Sequence, residues 1–215
     1  MKNKVLNVDI VSDVVCPWCV IGYGRFKQAL ASFDEQLTTS VTWHPFELNP
    51  EMPHQGENLR KHLSEKYGTT LDGSIRARAM LTEEGRKVGF TFNYFDEMKM
   101  LNTHDCHQLI HWANGSGKQL ELSEALFEQF FTHQGGFEKN ELIKIVEKVG
   151  LDTHEATEIL LSQKYSGNVK TIEHAWHQKG IHGVPLFIFN NTQVLSGAQE
   201  IETFKGVIKD LIYQY

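Results

Sequence analysis

The N-terminal part of the chain alternates between strand-like and helix-like apolar patterns. Val5 to Val11 form a run rich in β-branched residues that stops at Ser12 and Asp13, as a buried strand does. Apolar residues then recur at helical spacing from Ile21 to Phe33, and the run from Ser40 to Leu48 predicts a second strand. A strand, a helix and a strand in close succession indicate a βαβ unit with parallel strands and a right-handed crossover.

The central part of the chain has a helical pattern. Gly and Pro interrupt residues 49–56, and from there apolar positions recur with a helical period. The predicted helices are Leu59–Tyr67, Ser74–Val88, Thr103–Asn114, Ser123–His133, Lys139–Val149, Thr153–Leu161 and Lys164–Gln178.

The C-terminal part returns to strands. Two short apolar runs, Leu186 to Phe189 and Val194 to Ser196, lie on either side of an Asn-Asn pair and predict a hairpin. A final amphipathic helix is expected from Ile201 to Tyr213. No long polar linker separates these parts, so we interpret the helical block as an insertion into an α/β domain. The expected divisions are 1–50 and 179–215 for the two parts of the α/β domain, and 51–178 for the helical domain.

Charge and hydropathy exclude some classes of function. The formal net charge is −6 and no basic run occurs, which argues against a nucleic-acid-binding protein. Asn7, Asp9 and Asp13 interrupt the apolar residues near the start, so we expect no secretory signal, and no run is long enough for a membrane span. These features predict a cytoplasmic protein, in which cysteines serve chemistry more often than structural disulfides.

Cys16 and Cys19 form a CxxC pair where the first strand passes into the first helix. Pro17 suits the first helical turn, and the unpaired N–H groups at that exposed end favour a thiolate, which would lower the pKa of Cys16. Cys16 is therefore the expected nucleophile and Cys19 the resolving thiol. Two alternatives remain: a pair of core cysteines, or a zinc site. Structural zinc needs four ligands, and Cys106 is the only other thiol, so no metal is predicted.

Five sequence blocks carry a resemblance to a known family. They are SDVVCPWCVIG (residues 12–22), WHPFELNPEMP (43–53), LNTHDCHQLIHWA (101–113), GIHGVPLFIF (180–189) and LSGAQ (195–199). With these blocks in order along nearly the whole chain, the protein resembles the DsbA family and, within it, the cytosolic FrnE-like group. The resemblance implies an α/β thioredoxin fold with a large all-helical domain inserted between the second strand and a cis-proline loop.

The resemblance also implies roles for particular residues. Cys16 and Cys19 would be the redox pair, and Val184-Pro185 the cis-proline dipeptide that holds a substrate beside the nucleophile. The residues expected to contact substrate are Pro17, Trp18, Phe46 and Val184. Trp18 stands where DsbA proteins often have His, and losing an imidazolium there should make this protein a weaker oxidant than its secreted relatives.

The predicted function is dithiol–disulfide exchange on protein thiols or disulfides, or on small thiols that include glutathione, with no cofactor. Two alternatives stay open. The superfamily also holds glutathione-dependent isomerases and transferases that act on aromatic or polyketide-like molecules, with a serine in place of the first cysteine. This chain keeps both cysteines, which favours exchange. The second alternative is a chaperone-like binding module. Nucleic-acid and membrane partners are not expected, and the oligomeric state is left open.

Several other residues could carry chemistry, but simpler interpretations are favoured. His104, His107 and His111 share the spacing of one helix face, which metal sites use, yet helix histidines are more often structural. Cys106 is expected to be buried and dispensable, with a regulatory thiol as the alternative. Asp13 is expected to end a strand, with proton transfer as the alternative. The aromatic cluster is expected to be core, with a docking surface as the alternative: Phe92, Tyr94 and Phe95.

Overall fold

The computed structural model describes residues 4–33 and 37–213. The strands are β1 (Lys4–Ser12), β2 (Leu37–Pro45), β3 (Glu57–Asn58), β4 (Lys99–Met100), β5 (Leu186–Phe189) and β6 (Gln193–Ser196). The helices are α1 (Pro17–Leu30), α2 (Leu59–Tyr67), α3 (Leu71–Lys87), α4 (His104–Ala113), α5 (Gln119–Phe127), α6 (Lys139–Lys148), α7 (Thr153–Ser162), α8 (Ser166–Gln178) and α9 (Ile201–Tyr213). None of the helices in these ranges is long and apolar enough to cross a membrane.

The main sheet has the strand order β2-β1-β5-β6. β1 runs parallel to β2, with Val8 opposite Val41, because α1 carries the chain across the sheet between them. β5 is antiparallel to β1, with Val8 opposite Phe189, and the β5–β6 hairpin closes the edge. The βαβ unit, the hairpin and the thioredoxin fold expected from the sequence are confirmed.

One face of the sheet is covered by α1 and α9. The centre of this layer is Phe26 of α1, whose ring centroid lies 5.8 Å from that of Phe187, 5.9 Å from Phe189 and 5.7 Å from Phe204 of α9. All four rings are fully buried. Alternation along β5 places Phe187 and Phe189 on this face, so the strand and both helices share one aromatic core.

The opposite face of the sheet is covered by the end of α8. Val11 and Leu186 point to this side, because their neighbours in sequence face α1. They pack with Phe46 and Trp176. The ring of His44 meets that of Trp176 edge-on at 5.4 Å between centroids. The two sheet faces therefore bury separate side chains of the same strands, as period-two alternation requires.

The helical block is joined to the sheet through β2. Trp43 lies with its ring centroid 5.0 Å from that of Tyr23 and 6.0 Å from that of Phe127, so it contacts both α1 and the block. The buried amide of Gln119 accepts from the Trp43 N–H at 3.1 Å and donates to the Trp43 carbonyl at 3.2 Å. One continuous apolar cluster spans both parts, and the division at residues 50 and 178 stays a proposal.

The structure corrects several predicted boundaries. β2 begins at Leu37 rather than Ser40, because its pairing with β1 includes polar residues that lack apolar alternation. The strand ends at Pro45. α3 begins at Leu71, three residues earlier than predicted, where the Thr70 hydroxyl accepts the Gly73 N–H. The predicted helix Ser123–His133 is instead α5 followed by a π-helical turn over Glu128–Thr132. The two-residue strands β3 and β4 were too short to predict.

We expect Phe26→Ala to lower the free energy of unfolding by about 3–5 kcal/mol, because the ring leaves a cavity between β5 and both covering helices. Denaturant unfolding measures this loss. The control is Leu161→Ala in α7, where the side chain is 69% exposed and the change should stay within about 0.5 kcal/mol. Equal effects of the two substitutions would contradict this account of the core.

Candidate functional site

The CxxC pair lies at the start of α1. The Cys16 N–H donates to the Asp13 carbonyl at 3.0 Å, which turns the chain out of β1, and Pro17 occupies the first helical position. Cys16 is the N-cap residue, with extended backbone at φ −92° and ψ 111°. Its side chain makes no capping hydrogen bond, but it lies at the helix end where the dipole favours negative charge.

The Val184-Pro185 peptide bond is cis and lies against this helix end. The Cys16 thiol donates to the Val184 carbonyl oxygen, with the sulfur 3.7 Å away. Gly22 permits this approach, because a Cβ there would lie 3.2 Å from Pro185 Cγ and 3.3 Å from Ala198 Cα. The structure thus brings the two predicted motifs together, and Gly22 is a contributor that the sequence analysis missed.

The two cysteines differ in environment, and both are free thiols. Cys19 is 1% exposed, and burial raises its pKa well above the ordinary value, with further increases from its interaction with Cys16. The Ser12 side chain and the Asp13 backbone oppose this shift only partly. Cys19 therefore holds its proton at neutral pH. Cys16 is only 4% exposed, so the expectation of an open helix end was wrong.

Cys16 opens instead onto a cavity of about 470 Å³. Pro17, Trp18 and Val184, three of the residues expected to contact substrate, line the same cavity. Phe46 does not line it, because alternation along the chain after β2 turns this ring into the core under α8. The structure therefore brings together every predicted substrate-contacting residue except Phe46.

The cavity has polar residues that the sequence analysis did not single out. Ser74 and Arg78 of α3 line it together with Tyr94, which was expected to be core. The α3 residues that line the cavity stand at i, i+3, i+4 and i+7: Ser74, Ala77, Arg78 and Leu81. This helical spacing is the signal that the sequence analysis missed. One face of α3 therefore looks onto Cys16, but only the folded chain shows what that face covers.

Asp13 is buried behind the cysteines and has a structural environment. One oxygen of its carboxylate accepts the Leu48 N–H at 2.8 Å, and the other lies 3.4 Å from His107 Nε2. Asp13 and His107 are 1% and 2% exposed, respectively. Burial favours neutral His107, but the charges of Asp13, Glu173 and Glu47 outweigh burial and raise the pKa of His107.

Glu173 of α8 extends this buried group. Burial and the nearby carboxylates of Glu47 and Asp13 raise its pKa to about 7, against the opposing effect of His107. Glu47 is itself held by His104, with 2.6 Å between Oε1 and Nδ1. The group links the turn before Cys16 to α4 and α8, so it fixes the base of the site.

The three histidines of α4 have separate partners. His104 Nε2 lies 2.8 Å from the Ser166 hydroxyl, His107 faces Asp13, and the His111 ring lies 5.2 Å from that of Tyr165. In the described ranges, no group of three His, Cys, Asp or Glu side chains is arranged to hold a metal ion. Cys106 is fully buried, as expected, and burial raises its pKa well above the ordinary thiol value.

The fold and the site define a thioredoxin-fold protein with a CxxC pair facing a cis-proline. The chain belongs to the DSBA-like thioredoxin domain family, whose pattern matches residues 7–209. It is 27% identical over 207 residues to the uncharacterized protein YwbO of Bacillus subtilis (strain 168), covering 95% of this chain and 96% of that protein.

Solved structures show the same fold. The probable DsbA oxidoreductase SCO1869 of Streptomyces coelicolor superposes with a TM-score of 0.90 at 27% identity, covering 98% of this chain and 91% of that chain. A 2-hydroxychromene-2-carboxylate isomerase has a TM-score of 0.73 at 12% identity, covering 97% of each chain. Cytosolic disulfide reductase DsbM of Pseudomonas aeruginosa, solved with GSH, has a TM-score of 0.65 at 14% identity, covering 96% and 98%. Proteins of this fold thus include oxidoreductases and an isomerase.

We expect Glu173→Gln to reduce the loss of stability that occurs as the pH rises. The pKa of Glu173 is about 7 in the folded protein and 4.5 in its ordinary state, so folding favours the protonated acid. The free energy of unfolding therefore falls as the pH rises from about 4.5 to about 7. His107 acts in the same direction, since its raised pKa makes stability fall as the pH rises through it. From pH 5 to pH 8 the variant should gain about 2 kcal/mol relative to wild type.

Thermal unfolding at both pH values measures this difference. The matched control is Glu202→Gln in α9, whose carboxylate is exposed and should leave the wild-type pH profile unchanged. A Glu173→Gln profile parallel to that of wild type would contradict the assigned pKa.

We expect Cys106→Ala to keep disulfide exchange within a few-fold of wild type, because this thiol is enclosed in the core and its raised pKa keeps it protonated. A modest loss of stability should accompany the missing sulfur. Turnover of an insulin disulfide and thermal unfolding measure the two effects. A large loss of turnover in a folded variant would show that Cys106 takes part in the reaction.

Proposed function

We propose that this protein is a thiol–disulfide oxidoreductase of the FrnE-like group in which Cys16 is the nucleophile and Cys19 the resolving thiol. One observation carries the proposal: the Cys16 sulfur lies at the N-terminus of α1 and 3.7 Å from the Val184 carbonyl of the cis-proline loop. Family membership supports the same conclusion.

The proposed reaction has two exchange steps. The Cys16 thiolate attacks one sulfur of a substrate disulfide, a mixed disulfide forms, and the other substrate sulfur leaves as a thiolate that takes up a proton. Cys19 then loses its proton and attacks the Cys16 sulfur, which releases the second substrate thiol. The substrate gains two electrons, and the protein keeps a Cys16–Cys19 disulfide that an external dithiol or two molecules of a monothiol must reduce. The reverse sequence oxidises a substrate dithiol.

The surroundings of the pair support an order for these steps. Only Cys16 reaches the cavity, whereas Cys19 is buried and its pKa is raised, so Cys19 attacks after Cys16 has bonded to substrate. We assign Pro185 to positioning, since it holds the Val184 carbonyl against Cys16. Pro17, Trp18 and Val184 are assigned to substrate contact, and Phe46 to supporting the loop from the core.

The proposed partners are protein disulfides and small thiols in the cytoplasm. DsbM, which shares the fold, is a cytosolic disulfide reductase and was solved with GSH, which makes glutathione a candidate small-thiol partner here. Trp18 in the motif supports a reduction potential more negative than the ~ −120 mV of DsbA. Equilibration with glutathione buffers would measure that potential.

The cavity favours one second candidate function. Its walls are largely apolar, and an isomerase that acts on an aromatic carboxylate shares the fold, so glutathione-dependent isomerisation of a small molecule is the alternative. Glutathione-stimulated isomerisation together with failure to reduce insulin would favour it. The presence of two cysteines, rather than one, favours exchange.

The proposed roles predict unequal reactivity of the two thiols. Alkylation of the reduced protein at pH 6, followed by mass spectrometry, should modify Cys16 at least about tenfold faster than Cys19, because Cys16 lines the cavity at the helix N-terminus and Cys19 does not. Cys16→Ser should abolish exchange. Cys19→Ala should accumulate mixed disulfides with substrate, because nothing resolves them.

Cys106→Ala provides the background for this experiment, since it removes the third thiol from the spectra. Equal modification rates of Cys16 and Cys19 at pH 6 would contradict the assigned roles. Normal turnover by Cys16→Ser would reject the proposed function itself.

A further inference from the structure

The cavity beside Cys16 is large enough for a small organic molecule but not for a folded protein. Its volume of about 470 Å³ is in the range of small-molecule sites. The walls come from α2, α3, the π-helical turn and the end of β4. The apolar lining residues are Leu59, Leu63, Leu81, Met100, Phe130 and Phe131.

Three polar side chains of this apolar cavity have buried atoms without a hydrogen-bond partner in the described part of the chain. Within the described part of the chain, no partner is found for Ser74 Oγ, for Tyr94 Oη, or for Nε and Nη2 of Arg78. Ser74 is 4% exposed, and the Arg78 side chain is 11% exposed. Arg78 uses only Nη1, which donates to the Phe95 carbonyl at 3.0 Å. Buried polar groups of this kind normally have partners, and the three residues that carry them all line the cavity.

The charge at this end of the cavity is positive. The exposed carboxylate of Asp96 lies 2.8 Å from Arg60 Nη1 and 3.8 Å from Arg78 Nη1, so it is shared between two arginines. Burial and Arg60 lower the pKa of Arg78, yet a guanidinium stays charged at neutral pH. Burial raises the pKa of Tyr94, so its hydroxyl remains a donor.

Two other polar residues of the cavity, His62 and Asn49, are already engaged with each other and with Lys66. His62 Nε2 lies 2.9 Å from Asn49 Oδ1, which also accepts from Lys66 at 2.7 Å. Among the residues that line the cavity, Ser74, Arg78 and Tyr94 are those with buried polar atoms that have no partner in the described part of the chain. Nε and Nη2 lie on one edge of the planar Arg78 guanidinium, an arrangement that suits the two oxygens of a carboxylate.

We propose that Ser74, Arg78 and Tyr94 bind the carboxylate of a low-molecular-weight disulfide or thiol whose apolar body fills the cavity and whose sulfur reaches Cys16. This inference rests on the proposed function and names its substrate class. The apolar walls select an aromatic or aliphatic body, and the guanidinium selects the negative charge. Arg78 is thus a specificity-determining residue.

The test compares two aromatic disulfides that differ only in charge: para-dithiodibenzoate and its neutral diamide. Rates of reaction with the reduced protein are measured by stopped flow and divided by the rates with dithiothreitol, which removes intrinsic reactivity. Wild type should prefer the dicarboxylate by about tenfold or more, as a charge-assisted hydrogen bond gives. In Arg78→Gln the preference should fall to near one, while the diamide rate stays within about twofold.

The matched control is Arg86→Gln, which removes the same charge from the exposed end of α3 and should keep the wild-type preference. Arg78→Lys should keep part of the preference for the dicarboxylate, because a positive charge remains. Insulin reduction by Arg86→Gln should stay within about twofold of wild type. An unchanged preference in Arg78→Gln, or an equal loss with insulin, would overturn the proposal while leaving thiol–disulfide exchange intact.

A binding measurement separates this proposal from the proposed function. Calorimetry with para-(methylthio)benzoate, a thioether that cannot exchange, should show binding to Cys16→Ser that weakens about tenfold or more when Arg78→Gln is added. If the reduced wild type fails to react with either disulfide, the proposed function fails, and this titration still decides the carboxylate site. No binding, or equal binding to both proteins, would reject the site.

Discussion

The site depends on the contact between the start of α1 and the cis-proline loop. These segments lie far apart in the sequence, yet the Cys16 sulfur meets the Val184 carbonyl. The contact needs β5 paired beside β1, and it needs a helix face without a side chain at Gly22, where a Cβ would crowd Pro185 and Ala198. The packing of Phe26 against Phe187 holds α1 against β5, so the same contacts stabilise the core and position the site.

The two thiols are made different by depth rather than by residue type. Cys16 borders the cavity at the end of the helix, whereas Cys19, one turn further along, is enclosed and its pKa is raised by burial. Beneath them, Asp13, His107 and Glu173 form a buried group whose charges offset one another. Such a group is costly to bury unless it is paired, and it anchors the turn before Cys16 to α4 and α8.

The helical block supplies what the thioredoxin fold alone lacks, a walled cavity above Cys16. Residues from α2, α3 and the π-helical turn enclose the space beside Cys16. An oxidoreductase and an isomerase share this overall fold, so the fold does not select the chemistry. The side chains of the helical block affect which ligand fits, because apolar walls with Arg78 at one end favour a different ligand from an open peptide groove.

The sequence alone determined the order of elements, the CxxC pair at a strand-to-helix junction and the proline before β5, because local periodicity and turn residues encode these features. It also led to the family through five blocks of residues. The start of β2 at Leu37 and the burial of Cys16 needed the folded chain, because strand pairing and enclosure depend on distant residues. Ser74 and Arg78 are unremarkable in the sequence, and Tyr94 stands out there only as one member of an aromatic cluster. Only tertiary packing brings the three residues to the wall of the cavity beside Cys16 and leaves buried polar atoms of each without a hydrogen-bond partner.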